Sequence, residues 1–155
     1  MAQDEGRQET GGAALSGYCL CGDVTITITV SGGHDPRPGA CHCRMCQRWS
    51  GGLFVVFPAP AEAVRVEGEV ARYASSSRAE RAFCRRCGSH LWWRETTEGA
   101  GYDLMPGLFD AAADWPLHSE IYSDRALASV RLEGDHRRAT RAEWQAKNPH
   151  FEGEA

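Results

Sequence analysis

Seven cysteines fall into three short clusters, Cys19-x-Cys21, Cys41-x-Cys43-x-x-Cys46 and Cys84-x-x-Cys87, and none stands alone. Thiols one or two residues apart reach a single metal ion with little backbone strain. Zinc takes four tetrahedral ligands in closed structural sites, and three protein ligands plus an open position in catalytic ones. Seven thiols divide into a set of four and a set of three, which matches one closed and one open site. Chemistry belongs to the open one.

Cys84-Arg85-Arg86-Cys87-Gly88 and Cys19-Leu20-Cys21-Gly22 share the logic of a zinc knuckle. The turn lets both thiolates face one ion, and the glycine that follows accepts a positive φ at little cost. Arg85 and Arg86 offset part of the net charge of four thiolates on Zn²⁺. A structural zinc supplies ~10–16 kcal/mol of apparent binding energy, more than the usual net stability of a domain. Spacing leaves two pairings open. Cys43 and Cys46 could join Cys84 and Cys87, but the 37 residues between Cys46 and Cys84 far exceed the usual ~15–20 of a four-cysteine ribbon. Pairing Cys19 and Cys21 with Cys84 and Cys87 leaves the compact triad intact and is preferred. A disulfide framework fits poorly, because the cysteine count is odd and no export signal is visible.

Three thiolates from Cys41, Cys43 and Cys46 on Zn²⁺ leave one coordination position, which a substrate thiol can fill as thiolate at neutral pH. Arg44 and Arg48 are placed to offset the added charge, and Ser50-Gly51-Gly52 gives a small, open approach. His42 lies between two ligands, where a side chain tends to point away from them, so a supporting or substrate contact is expected rather than ligation. His42 and Arg48 are the candidate helpers for a developing oxyanion. Trp49 follows closely enough to wall the site. Trp92 and Trp93 alternate on a strand, so one faces the core and the other a rim.

These residues need a scaffold, and its pattern is mainly β. Val24 to Val30 alternates at period two with β-branched residues and predicts a half-buried strand. Leu53 to Phe57 predicts a buried strand stopped by Pro58 and Pro60. Val64-x-Val66 and Val70 to Tyr73 flank Glu67-Gly68-Glu69 and predict a hairpin. Arg81 to Cys84 and Leu91 to Arg94 predict strands joined by the knuckle, with weaker strands at Tyr102 to Met105 and His118 to Tyr122. Thr140-x-x-Glu143 is a capping box that opens a short helix ended by Asn148-Pro149, with Trp144 as a plug on the β core. The expected organisation is a disordered tail over 1–15, a zinc-binding domain over 16–130 and an extension with a short helix over 131–155.

At 155 residues and 42% hydrophobic content, one domain with a real core is expected. A net charge of -4 gives no general attraction to nucleic acid or to a membrane surface. The basic cluster Arg131, Arg137, Arg138 and Arg141 is diluted by Glu133, Asp135 and Glu143 and reads as a solvated face. No run of about 18 apolar residues exists. A cytoplasmic location is expected, where thiols stay reduced.

Taken together, Gly17-Tyr18-Cys19-Leu20-Cys21-Gly22, Cys41-His42-Cys43-x-x-Cys46 with Ser50-Gly51-x-x-Phe54, and Arg81-Ala82-Phe83-Cys84-x-x-Cys87-Gly88-Ser89-x-Leu91 carry a resemblance. Gly107-x-Phe109-Asp110, Pro116 and His118 continue it. Over roughly residues 15–125 the chain resembles the glutathione-dependent formaldehyde-activating enzymes, which share a domain with the vertebrate centromere protein V. After Asp124 the chain departs from that pattern. The resemblance implies a Mss4-like zinc-bearing β fold of short antiparallel strands. It implies a structural zinc on Cys19, Cys21, Cys84 and Cys87, and a more labile zinc on Cys41, Cys43 and Cys46. In the founding enzymes the second zinc is tied to condensing glutathione with formaldehyde into S-hydroxymethylglutathione. The expected function is therefore a zinc-dependent carbon–sulfur lyase or synthase acting on glutathione–aldehyde adducts, with glutathione as co-substrate and Cys41, Cys43, Cys46, His42 and Arg48 at the reacting centre. A small-molecule thiol or aldehyde is the expected partner, for a monomer or homodimer. The alternative is a non-catalytic zinc module that binds a partner or glutathione conjugates.

Overall fold

A computed structural model describes residues 14–29 and 36–151. Two sheets form. The smaller has the order β1-β2-β5, from Leu15–Tyr18, Thr25–Ile28 and Val64–Glu67. The larger has eight strands in the order β11-β10-β3-β4-β9-β8-β7-β6. In chain order these are β3 (Gly39–Cys41), β4 (Phe54–Ala59), β6 (Val70–Ala74), β7 (Ala79–Cys84), β8 (His90–Glu95), β9 (Tyr102–Leu104), β10 (Ser119–Ile121) and β11 (Arg137–Ala139). The α-helices among the described residues are α1 (Arg44–Ser50) and α2 (Arg141–Lys147), with short 3-10 turns between strands. The mainly β expectation with a short terminal helix holds. Pairing is antiparallel except at β10, which runs parallel to both β3 and β11. The predicted strand from Val24 is present as β2, and its end at Val30 lies outside the described residues, as does the predicted tail before Ala14.

Alternation on β2 buries Ile26 and Ile28 while Thr25 and Thr27 stay half-exposed, the burial pattern expected of period two. Those isoleucines and Val24 meet Phe57, Ala82, Leu91, Trp92 and Leu104 from the larger sheet in one core. The rings of Phe109 and Trp115 close over Phe57 edge-on, with centroids 5.4 and 5.0 Å away. Burying such rings is the main favourable term for a domain whose strands are this short.

Three local expectations change. The segments 64–67 and 70–74 are not a hairpin: β5 pairs with β2 and β6 with β7, so Gly68 carries the chain from one sheet to the other. The edge of β2 offers β5 a better partner than its sequence neighbour does, since Val66 sits opposite Ile26 over the core. Strand β4 also runs through Pro58 to Ala59. Its ladder to β3 ends at Val56, leaving Pro58 on a stretch bonded only to β9, where a missing N–H is tolerated. Helix α1, finally, has no apolar periodicity to announce it, and it begins with Cys43 as its cap.

Gly68 has φ +107°, and a Cβ there would overlap the Asp23 carbonyl oxygen. Gly68→Ala is expected to lower stability by at least ~1–3 kcal/mol, the range for a strained backbone position. Gly107→Ala, with nothing within 4 Å of the added carbon, should be close to neutral in the same urea unfolding measurement.

Candidate metal centre and catalytic cavity

The sulfurs of Cys19, Cys21, Cys84 and Cys87 lie within 4.8 Å of one another. Cys19 to Cys21 is 3.5 Å and Cys21 to Cys84 is 3.7 Å. Four sulfurs at about 2.3 Å from a zinc ion form a tetrahedron with edges of about 3.8 Å, so the donor set fits that metal. The turns place them: Gly22 and Gly88 have φ of +79° and +77°, and the Gly88 N–H closes onto the Cys84 carbonyl at 2.9 Å. Ser89 ties the two knuckles together. Its Oγ accepts from Leu20 N–H at 3.0 Å and lies 3.2 Å from Cys87 Sγ. That hydroxyl holds the Cys87 thiol down at about 5, ready to act as a thiolate ligand.

Cys41, Cys43 and Cys46 form a second cluster, again with sulfurs within 4.8 Å. Cys41 ends β3. Cys43 caps α1 and its sulfur accepts from Cys46 N–H at 3.4 Å. These thiols cannot all ionise unaided. Hydrogen bonds from Cys41 and Cys46 hold the Cys43 thiol down at about 3. The bond to Cys43 pushes Cys41 well above the usual thiol range. Cys46, where the bond from Cys41 is outweighed by that with Cys43 and by burial, is pushed up to about 11. A second and third negative charge need a cation beside them, which is the chemistry of a metal-binding donor set.

The triad opens into a cavity of about 520 Å³. Its other wall comes from one cross-strand row of the larger sheet, in which Arg81, Trp93 and Asp103 stand opposite one another from β7 to β9. The neighbouring row, Ala82, Trp92, Leu104 and Phe57, faces the core with none of the four more than 1% exposed. Period two thus puts Arg81, Trp93 and Asp103 on the cavity side. The Arg81 guanidinium lies over the rings of Phe54 and Trp49, 5.1 and 5.7 Å from their centroids. Its Nη2 is 3.5 Å from Cys46 Sγ, and its buried Nη1 has no hydrogen-bond partner among the described residues. Burial, with the charge of Glu95 adding to it, pushes the Asp103 carboxyl up to about 6.

A model of the glutathione-dependent formaldehyde-activating enzymes matches residues 14–125. The chain belongs to that family. A relative in Schizosaccharomyces pombe, an uncharacterized lyase, is 30% identical over 109 residues, which cover 70% of this chain and 77% of the relative. In this member of the formaldehyde-activating family, both predicted cysteine sets come together as expected. His42 and Arg48 do not reach the cavity. His42 is fully buried on the opposite face of β3, its Nε2 2.7 Å from Glu120 Oε1 but not aligned for a hydrogen bond. Glu120 Oε2 also meets His136 Nε2 at 2.7 Å and Arg138 Nε at 3.2 Å. The same alternation that aims Cys41 and Ile121 inward sends His42 and Glu120 outward. Arg48 is exposed on α1. Trp49 does not wall the cavity but stacks on His90 and Tyr73, at 4.8 and 6.1 Å, behind Arg81. Trp144, expected as a core plug, lines the cavity instead. Of the residues that reasoning from sequence passed over, Arg81 had a signal: it sits one position from core-facing Ala82 on a predicted strand. Asp103 had only the weak Tyr102 to Met105 pattern.

Two outcomes are expected. Cys84→Ser should lose metal and unfold, whereas Cys46→Ser should lose one ion yet keep its melting transition, read by elemental metal analysis beside thermal melting. For Asp103 the sign is set by its raised value: burial costs nothing below pH 3.8 and the full amount above about pH 6, so it erodes stability as pH rises through that window. Asp103→Asn should then be more stable than the parent at pH 7–8 by up to about 3 kcal/mol, and no more stable near pH 4.

Proposed function

We propose that this protein is a zinc-dependent carbon–sulfur lyase or synthase that makes and breaks glutathione–aldehyde adducts such as S-hydroxymethylglutathione. One observation carries this reading: a single cavity gathers three clustered thiols, an arginine with an unused donor and a carboxyl poised near neutrality. Membership of the formaldehyde-activating family and the lyase name of the fission-yeast relative support it. Zinc fits both donor sets, with Cys19, Cys21, Cys84 and Cys87 holding a structural ion and Cys41, Cys43 and Cys46 a second. At the second site, a bound zinc would supply the means to keep a substrate thiol deprotonated at neutral pH.

The chain's own groups then handle the oxygen and the proton. In the adduct-breaking direction the Asp103 carboxylate takes the hydroxyl proton. The carbonyl forms as the C–S bond breaks, and the electron pair leaves with sulfur. In the forming direction the thiolate adds to the carbonyl carbon, and protonated Asp103 returns the proton to the oxyanion. Arg81 Nη1 donates to that oxygen while Nη2 stays with Cys46 Sγ, so the guanidinium that steadies the oxyanion is anchored on the three-cysteine cluster. A carboxyl with a value of about 6 serves as acid and as base near neutral pH. His42 takes a positioning role, bracing the backbone between Cys41 and Cys43 through Glu120. Binding of conjugates without turnover would use the same cavity, and the rate measurement separates the two.

The test is the exchange rate between free formaldehyde and S-hydroxymethylglutathione by NMR exchange spectroscopy, with zinc-loaded protein against Cys46→Ser and a protein-free blank. Acceleration by the parent alone is the expected result; equal rates in all three samples would remove formaldehyde chemistry from this site. Adduct cleavage should rise through an inflection near pH 6 that Asp103→Asn abolishes. Arg81→Gln should lower the rate by about 10²-fold, the usual cost of an oxyanion donor, or to the blank if that comes first.

A further inference from the structure

The family match ends at residue 125, yet the cavity is not complete there. Trp144, Asn148 and Phe151 form part of its lining. With Trp93 and Tyr122 they produce an arc of four rings. Centroids are 5.6 Å apart for Tyr122 and Trp144, 5.0 Å for Trp144 and Phe151, and 6.1 Å for Phe151 and Trp93.

The segment that carries two of those rings is fastened at both ends. At its start, Thr140 and Glu143 form a reciprocal capping box, and Arg141 N–H donates to Asp124 Oδ1 at 2.7 Å. At its end, Arg78 Nη1 donates to the His150 carbonyl at 3.1 Å, and His150 Nε2 lies 3.9 Å from Glu95 Oε1. Behind it, β11 pairs with β10 and sends Arg138 to Glu120. The arc is therefore a built wall of the same cavity that holds the thiols.

A one-carbon aldehyde has nothing to offer such a wall. Its adduct carries only a hydrogen atom on the adduct carbon, too small to cover an aromatic wall, and those rings would stay wetted. An aryl or bulky apolar substituent on the adduct carbon would displace that water and stack on the rings. Arg78, also on the cavity, supplies a cationic counterpart for a carboxylate of a glutathione portion.

We infer that residues 141–151 tune this cavity to thiol adducts of aromatic or bulky apolar aldehydes rather than of formaldehyde. This rests on the thiol-adduct reading of the three-cysteine site. Stable thioethers test it directly, since Trp93 and Trp144 report occupancy through their fluorescence. The zinc-loaded full chain is titrated with S-benzylglutathione and with S-methylglutathione, the second standing for the one-carbon adduct. S-benzylglutathione should bind at least about tenfold tighter, the scale on which an apolar pocket discriminates substituents. Trp144→Ala and Phe151→Ala should each bring the benzyl-to-methyl affinity ratio toward one, and Trp144→Phe should restore most of it. Far-ultraviolet circular dichroism identifies any variant that fails to fold, and the Phe151 variants then decide. Equal affinities in the parent, or a ratio untouched by both alanine variants, would overturn the proposal. If S-methylglutathione binds as well as S-benzylglutathione while formaldehyde exchange is still accelerated, the selectivity proposal fails and the thiol-adduct reading stands. If neither thioether binds and no exchange is accelerated, both fail together.

Discussion

Seven sulfurs crowded into two groups cannot carry their full negative charge unless cations sit among them, and the architecture is arranged around that constraint. The four-sulfur group joins the turn between β1 and β2 to the turn between β7 and β8, so it fastens the small sheet to the large one at the edge of their shared core. The three-sulfur group joins the end of β3 to the first turn of α1. Strands of three to six residues and two seven-residue helices bury little surface each, so the fold depends on these junctions more than a domain with longer elements would.

Strand alternation divides the work. On the larger sheet one row of side chains seals the core against β2, and the next row, one residue along each strand, forms the cavity wall. At the other end of the same sheet, alternation separates Cys41 and Ile121, which face the cavity, from His42 and Glu120, which face away. A buried carboxylate answered by two histidines and an arginine braces the strand that carries the ligands. Burial alone would raise the Glu120 carboxyl, and its two histidine neighbours hold it below the usual range instead.

Much of this was legible in the residues themselves. The cysteine spacing picked out the clusters and favoured the pairing that the fold brings together, because a metal-binding turn is a local object with a local signature. The strands around the knuckle, the capping box at Thr140 and the division of labour between Trp92 and Trp93 were readable for the same reason. What was not readable is non-local. Glu67-Gly68-Glu69 looks like a hairpin turn, and only the free edge of β2 tells otherwise. His42 and Arg48 were favoured because they are near the ligands in sequence, whereas Arg81 and Asp103 reach the cavity from strands far along the chain. Trp144 has the composition of a core residue, and only its placement against Tyr122 and Phe151 makes it a wall.

Chain order adds a dimension that the finished fold conceals. Every sulfur of both groups lies at or before Cys87, whereas α2, which brings Trp144 to one side of the cavity, begins at Arg141. As the chain is synthesised, the thiols emerge before that side of the cavity exists. A newly made molecule therefore presents both sulfur groups before α2 joins the cavity wall. In the finished fold the three-sulfur group instead shares its cavity with the aromatic arc, so whatever reaches those thiols does so beside Trp144 and Phe151.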